Sequence, residues 1–192
     1  MDCKAALTEA DGAFERARDI LRAKGLASAR SRSGRQTREG LVDSYIHPGG
    51  RVGVLVEVNC ETDFVARTKE FATLAHDLCL QVVGRQPRWV RREDIPGAEL
   101  ERERGVYREQ AEREGKARER LEQIVDGRMR KFYEETCLYD QPWVRDEGSK
   151  GRRVSEVISE VASATGENIS VARFVRYELG QGEGAGTAAD GA

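Results

Sequence analysis

Residues 54–67, VLVEVNCETDFVAR, join a strand pattern to a helix pattern, and the arrangement of the chain follows from that junction. Valine recurs here at every second position: Val52, Val54, Val56 and Val58. Such alternation predicts a strand with one buried face. From Thr68 to Val83 the apolar residues follow helical spacing instead, which predicts an amphipathic helix packed on the sheet. Residues 62–65 therefore form a corner that offers a carboxylate and an aromatic ring.

The regions on either side complete a pattern of helices and antiparallel strands. Segments 41–47 and 51–59 predict a hairpin that turns at Pro48, Gly49 and Gly50. Segment 99–116 predicts a nearly all-charged helix and segment 121–133 a better buried one, and the two would form a helical hairpin. A last helix from Val154 to Gly166 and a strand over 169–179 follow.

The two ends of the chain differ from this middle part. Residues 2–25 predict two short helices with a turn at Asp11 and Gly12, the second helix ending at Gly25. Each helix has an apolar stripe, formed by Cys3, Ala6, Leu7 and Ala10 in the first and by Phe14, Ala17, Ile20 and Leu21 in the second. Two such helices cannot bury a core, so we expect this segment to lack an upstream helix or to pack on another surface. Residues 27–40, rich in Ser, Arg and Gly, predict a linker or a solvated helix. Residues 181–192 are expected to be disordered.

Composition limits the class of protein. With 192 residues and 39% hydrophobic content, the chain can fill a modest core. Charged residues make up 34%, yet the formal net charge is only −2, which disfavours a dedicated duplex-binding surface. No apolar run has the length of a membrane span and no signal peptide is evident, so we expect no membrane association and a cytoplasmic location.

The sequence offers little for catalysis. The four cysteines lie far apart, without zinc-binding spacing, and predict buried free thiols. A thiol enzyme of Cys60, His47 and Asp63 can be drawn, but nothing in the sequence indicates that these groups meet. No phosphate-binding loop is present. We therefore expect no enzyme activity, no metal and no cofactor.

The corner itself allows ordinary structural interpretations. A Phe at the start of a helix, such as Phe64, is usually a core residue. Thr62 or Asp63 could cap the helix by accepting its free N–H groups. From the pattern alone, these alternatives to a functional role stay open.

An RNA-binding or ribosome-associated module is the alternative function. It rests on the basic linker over 27–40 and on a short basic segment with one aromatic residue: Arg85, Arg88, Trp89, Arg91 and Arg92. Such binding would weaken steeply with salt. Because the overall charge is balanced, we expect no direct binding of nucleic acid.

Four blocks, in this order, carry a resemblance to a known family: DCKAAL (2–7), VNCETDFVAR (58–67), VDGRMRKF (125–132) and LYDQPWV (138–144). Together they resemble bacterial elongation factor Ts in its short form, from Met1 to Gly180. The resemblance implies a guanine-nucleotide exchange factor of the translation GTPase elongation factor Tu. It also implies that Thr62, Asp63, Phe64 and Val65 enter this partner near its bound magnesium and promote GDP release.

The resemblance also implies an architecture. The expected fold class is α+β: a ubiquitin-associated-like helical module over 1–26, incomplete by its first helix, a linker over 27–40, and a core over 41–180. In this core, antiparallel strands are packed by helices and a helical hairpin. The short form is similar to members that dimerise, so a homodimer is possible. Val175 stands where a relative carries Cys, so a covalent dimer is not expected.

Overall fold

The computed structural model describes residues 2–146 and 151–181. In chain order its elements are α1 (Asp2–Glu9), α2 (Phe14–Arg32), β1 (Glu39–Ile46), β2 (Val52–Cys60), α3 (Asp63–Ala66), α4 (Lys69–Arg85), α5 (Gly97–Arg113), α6 (Leu121–Thr136), α7 (Val154–Thr165) and β3 (Ser170–Glu178). Short 3₁₀ turns lie at Arg92–Asp94, Arg118–Arg120 and Leu138–Asp140. This mixture of helices and strands confirms the α+β class.

The three strands form one antiparallel sheet in the order β1-β2-β3. Val54 of β2 faces Tyr45 on one side and Arg176 on the other. The predicted hairpin is confirmed: the Gly50 N–H donates to the His47 carbonyl at 2.9 Å across the turn. β2 is therefore the central strand, and both of its edges are hydrogen-bonded.

The main core lies on one face of this sheet. Val54, Val56 and Val58 are at most 2% exposed and pack with α4 and α7. Phe71 and Leu78 of α4 are fully buried in the same cluster, as its helical spacing predicts. The buried face of β2 and the apolar face of α4 thus pack against each other.

A second apolar cluster lies beneath the helical hairpin of α5 and α6. Its buried members are Trp89, Ile95, Val125, Met129, Phe132 and Cys137. The charged residues of α5 pair across the hairpin: Arg104 lies 3.0 Å from Asp126, and Arg108 lies 2.6 Å from Glu122. The predicted helical hairpin is therefore present, and part of its charge is paired between the helices.

The prediction that the second helix ends at Gly25 is wrong. α2 continues through Gly25 to Arg32, so the expected boundary between a module at 1–26 and a linker at 27–40 falls within a helix. α7 supports this extension: the Ser163 hydroxyl donates to the Gly25 carbonyl at 2.7 Å, and the Arg32 guanidinium donates to the Ala162 carbonyl at 3.3 Å. A glycine inside a helix costs only about 1 kcal/mol, which such tertiary contacts can offset.

The helices α1 and α2 pack through small residues. Ala6, Ala10 and Ala17 are buried, with Ile20 and Leu21 partly buried beside them. The apolar pattern predicts a wider stripe, but three of its members lie outside the cluster: Cys3, Leu7 and Phe14 are exposed. Phe14 is 72% exposed. The two helices thus have a minimal core and leave three apolar side chains exposed on their outer surface.

Two further expectations concern the ends and the environment of the chain. The tail predicted to be disordered, 181–192, lies outside the described residues except for Gln181. Among the helices described, none combines the length and the apolar character that crossing a membrane requires.

Candidate functional site

The predicted corner, here residues 61–68, is a single helical turn between β2 and α4. After Cys60 the chain forms α3, which is only four residues long, and then starts α4 separately. Thr68 ends the first turn and caps the second helix: its hydroxyl donates to the Val65 carbonyl at 2.8 Å and accepts from the Phe71 N–H at 3.2 Å. The corner is therefore a distinct projection and not the first turn of α4.

Phe64 and Val65 point in opposite directions. The Phe64 side chain is 80% exposed, the largest value among the exposed large apolar residues of the described chain. Val65 is 9% exposed and belongs to the main core. The ordinary interpretation of Phe64 as a core residue is therefore wrong, because its neighbour takes the core position. An isolated ring held in solvent by a structured turn is the informative feature of this surface.

Asp63 and Thr62 do not cap the helix through their side chains. The Asp63 carboxylate lies 2.9 Å from the Arg67 guanidinium, one turn later, and both groups are accessible to solvent. Thr62 stands at the N-cap position without a side-chain cap bond. Its hydroxyl donates instead to Glu167 Oε1 at 2.5 Å. Phe64 is thus exposed and Asp63 half-exposed on the outer side of the turn, while Thr62, although exposed, is bonded to Glu167 and Val65 is buried in the core.

Glu167 and Asn168 support the corner, a role that the sequence pattern does not predict. Glu167 Oε2 accepts the N–H groups of Glu61 and Thr62, each at 3.0 Å. In return, the Asn168 N–H donates to the Glu61 carboxylate at 2.6 Å. Gly166, with φ +78°, ends α7 in the left-handed conformation and turns the chain toward the corner. In the sequence, the only indication of this contact is a glycine followed by the two polar residues Glu167 and Asn168. The register of β2 and β3 is needed to place these residues beside residues 61 and 62.

The segment after α2 joins the same network. The buried Asn168 side chain donates to the carbonyls of Ser33 and Arg35, at 3.3 and 2.9 Å. The Arg35 guanidinium lies 3.4 Å from the Glu61 carboxylate. The end of α2, the end of β2 and the start of β3 therefore meet at the base of the corner.

The structure does not bring together Cys60, His47 and Asp63, the residues of the hypothetical thiol enzyme. The His47 N–H pairs with Val52 at the far end of β2, and the eight residue steps from there to Cys60 span roughly 26 Å. The Cys60 thiol donates to the Thr62 carbonyl at 3.1 Å. Burial, and secondly the negative charge of Glu167, raise the pKa of Cys60 to about 11. A thiolate nucleophile at this position is therefore disfavoured at neutral pH.

The basic segment of the alternative function is largely engaged within the protein. Arg88 stacks on Trp89 with its guanidinium carbon 4.2 Å from the ring centroid, and it also pairs with Glu99. Arg92 stacks on Tyr133 at 4.6 Å and pairs with Asp140 at 2.5 Å.

Arg91 is engaged in the same way, since it stacks on the Tyr139 ring and donates to its hydroxyl at 3.2 Å. Trp89 is 7% exposed and belongs to the second cluster. No stacking platform for bases is open at this segment, which removes the main support for the RNA-binding alternative.

Comparisons with known proteins agree with the resemblance of the four blocks. A family model described as Elongation factor TS matches residues 28–181. Elongation factor Ts of Thermoanaerobacter sp. (strain X514) is 51% identical over 182 residues, which are 95% of this chain and 88% of that protein. Elongation factor Ts of Moorella thermoacetica is 52% identical over 95% of this chain and 88% of its own length. Elongation factor Ts of Thermotoga neapolitana is 49% identical over 94% and 89%.

The burial of the cysteines predicts their reactivity. Burial raises the pKa of Cys60 and Cys137 to about 11 and that of Cys79 to about 12, whereas Cys3 is exposed. Since the thiolate reacts, we expect iodoacetamide at neutral pH to modify Cys3 rapidly and the other three slowly, as followed by mass spectrometry. Unfolding in guanidinium chloride should make all four reactive. Rapid modification of Cys60 in the folded protein would contradict this account of the corner.

Proposed function

The chain belongs to the elongation factor Ts family, and on this basis we propose that it is the guanine-nucleotide exchange factor of elongation factor Tu. In this proposal it binds the GDP complex of the GTPase during polypeptide elongation and accelerates GDP release. No covalent chemistry on the factor is needed. The 80% exposure of Phe64, on a turn that Val65 anchors in the main core, is the observation that carries the proposal.

The proposed action of the corner is to disturb the magnesium and phosphate site of the partner. Magnesium bridges the phosphates in such GTPases and contributes much of the nucleotide affinity. The Phe64 ring would insert between partner side chains, and the Asp63 carboxylate would compete for their hydrogen bonds. Val65 is buried in the factor, so its proposed role is to fix the turn and not to contact the partner.

In exchange by this route, the binding of GDP and the binding of the factor to the GTPase are thermodynamically linked. A factor that lowers the affinity of the GTPase for GDP must bind the nucleotide-free GTPase more tightly than the GDP form, by the same ratio. The side chain that enters the partner must therefore gain contacts in the empty state that are weaker in the GDP state. A ring that is 80% exposed in the free factor can gain such contacts while breaking few of its own.

The N-terminal helices are proposed to form the ubiquitin-associated-like module that rests on the nucleotide-binding domain of the partner. Support comes from the outer surface of α1 and α2. Leu7 is 39% exposed and Phe14 is 72% exposed, although the apolar pattern assigns both to a buried stripe. Large apolar side chains that a small module leaves outside are available for a protein contact.

A homodimer is proposed through the open face of the sheet. This face, opposite the main core, presents Val42, Ile46, Leu55 and Tyr177, which are 46 to 71% exposed. The strand register places them side by side: Leu55 lies between Ser44 and Val175, and Gly53 lies between Ile46 and Tyr177. A second copy of the same face is the proposed occupant.

The first test concerns Phe64. Phe64→Ala should slow the release of a fluorescent GDP analogue from elongation factor Tu by about thirtyfold or more, the range for losing an aromatic hot spot. The free energy of unfolding should change by less than about 0.5 kcal/mol, because the ring is exposed. Stopped-flow fluorescence and denaturant unfolding measure the two effects.

Matched variants control for position and charge. Phe71→Ala, seven residues later and fully buried, should destabilise the protein by about 3 to 5 kcal/mol. Val106→Ala, an exposed apolar residue on α5, should leave release unchanged. Asp63→Asn in the same assay measures the contribution of the carboxylate charge. If Phe64→Ala releases GDP at the wild-type rate, the proposed role of the corner is wrong.

The second test concerns the N-terminal module. Phe14→Ala should raise the factor concentration needed for half-maximal GDP release by about fivefold or more, since an apolar contact is lost. The maximal release rate should stay near the wild-type value, because the corner is intact. Equal half-maximal concentrations for the two proteins would refute a partner contact through Phe14.

The third test concerns the dimer. Leu55→Glu places a charge at the centre of the open sheet face and should shift sedimentation-equilibrium profiles from dimer to monomer. Val106→Glu, the same change at an exposed position of α5, should leave the profile unchanged. A wild-type protein that stays monomeric across the concentration range, or a dimer insensitive to Leu55→Glu, would exclude this interface.

A further inference from the structure

The orientation of Phe64 needs an explanation beyond its own helix. α3 has four residues, and a single isolated turn of helix is unstable in water because its nucleation is unfavourable. Its N-cap residue supplies no side-chain bond. The ring, 80% exposed, has little packing of its own to fix it. The direction in which Phe64 points must therefore be set by contacts between the turn and the rest of the protein.

Three groups meet this requirement, and they act at different places. Val65 anchors the middle of the turn in the core, and Thr68 fixes its exit into α4. At the entry, the Cys60 thiol donates to the Thr62 carbonyl. Most of the side-chain bonds there come from Glu167, which accepts three bonds from the consecutive residues Glu61 and Thr62. Each of these bonds has a carboxylate acceptor, and charge-assisted bonds are shorter and stronger than neutral ones.

We propose that Glu167 is a positioning residue for nucleotide exchange, which holds the entry of α3 so that Phe64 projects in its active direction. This inference rests on the proposed function. Glu167 lies at the start of the segment leading into β3, and its carboxylate is occupied within the protein. Its contribution is preorganisation: without it, the turn samples other orientations, and the partner must select the active one at a cost in rate and affinity.

Neighbouring contacts make the position specific to Glu167. The Glu61 carboxylate is already engaged by the Asn168 N–H at 2.6 Å and by Arg35, so it cannot turn round to replace Glu167. The Asp63 carboxylate faces Arg67 on the outer side of the turn. Removing the Glu167 carboxylate thus leaves the Glu61 and Thr62 N–H groups without a nearby acceptor on this side of the corner.

The test combines Glu167→Ala with Phe64→Ala in stopped-flow measurements of fluorescent GDP release from elongation factor Tu. Glu167→Ala should lower the maximal release rate roughly tenfold or more, as small misplacements of an acting group do. In the Phe64→Ala background the same substitution should have a much smaller effect, because the ring is gone and only the Asp63 carboxylate is left to position. Additive effects of the two substitutions would overturn the proposal, as would a wild-type release rate for Glu167→Ala.

Conservative variants separate positioning from general stability. Glu167→Gln keeps an acceptor for the two N–H groups and a donor for the Thr62 hydroxyl, so it should recover most of the rate. Thr62→Val removes one bond and should give a smaller loss than Glu167→Ala. Glu134→Ala removes a half-exposed carboxylate paired with Arg153 and should leave exchange unchanged. If Glu167→Gln is as slow as Glu167→Ala while both remain folded, the proposal fails.

A readout without the partner distinguishes this inference from the proposed function. Amide hydrogen exchange should accelerate at residues 61–67 in Glu167→Ala and stay unchanged in α4 and α6. If the wild-type chain does not accelerate GDP release, the proposed function fails, while this measurement still decides whether Glu167 holds the turn. Unchanged amide exchange at residues 61–67 would overturn the positioning role.

Discussion

The packing of the β2 valines on α4 is the interaction on which the rest of the structure depends. β2 is the central strand, so its backbone is paired on both edges, and Val54, Val56 and Val58 bring α4 and α7 onto one face of the sheet. Register is fixed by such a face, because a shift of one residue would turn all three valines to solvent. The place where β2 ends, and with it the position of the corner, is therefore determined by the core.

β2 and α4 can be predicted from the sequence, because the apolar residues of each follow an unambiguous period. The presence of a corner between them can be predicted for the same reason. The direction of the corner residues cannot be predicted. Phe64 and Val65 are adjacent apolar residues at the point where the strand alternation changes to helical spacing. The apolar pattern therefore cannot predict which of the two is buried. In the structure the smaller valine is buried and the ring is exposed. The hydrogen-bond partner of Thr62 could not be predicted from the sequence either, because Glu167 is 105 residues away along the chain.

The errors at the N-terminus have a similar origin. Gly25 predicts a helix end when only local propensity is considered, but the side of α2 at this residue rests on α7, and the contact of its carbonyl with Ser163 supports the helix there. Small residues suit that contact: a Cβ at position 25 would lie 3.2 Å from the Ser163 hydroxyl oxygen. Propensity is a weak determinant wherever tertiary packing supplies the missing stability. The exposed Cys3, Leu7 and Phe14 show the opposite case. Their helical spacing predicts burial, but α1 and α2 are too small to cover all the apolar residues of the two stripes.

The contrast between the corner and the basic segment explains why the proposed function is based on an exposed aromatic ring and not on a run of arginines. Arg88, Arg91 and Arg92 each stack on a ring of this chain, so their charge and planar surface are used in the fold. Phe64 has the opposite character, because the fold positions its backbone and leaves its ring exposed. A group that must enter a partner has to be rigidly placed before binding and free of contacts that binding would break. Among the predicted site residues, Phe64 meets both conditions most fully, and Asp63 meets them apart from its solvent-exposed pair with Arg67.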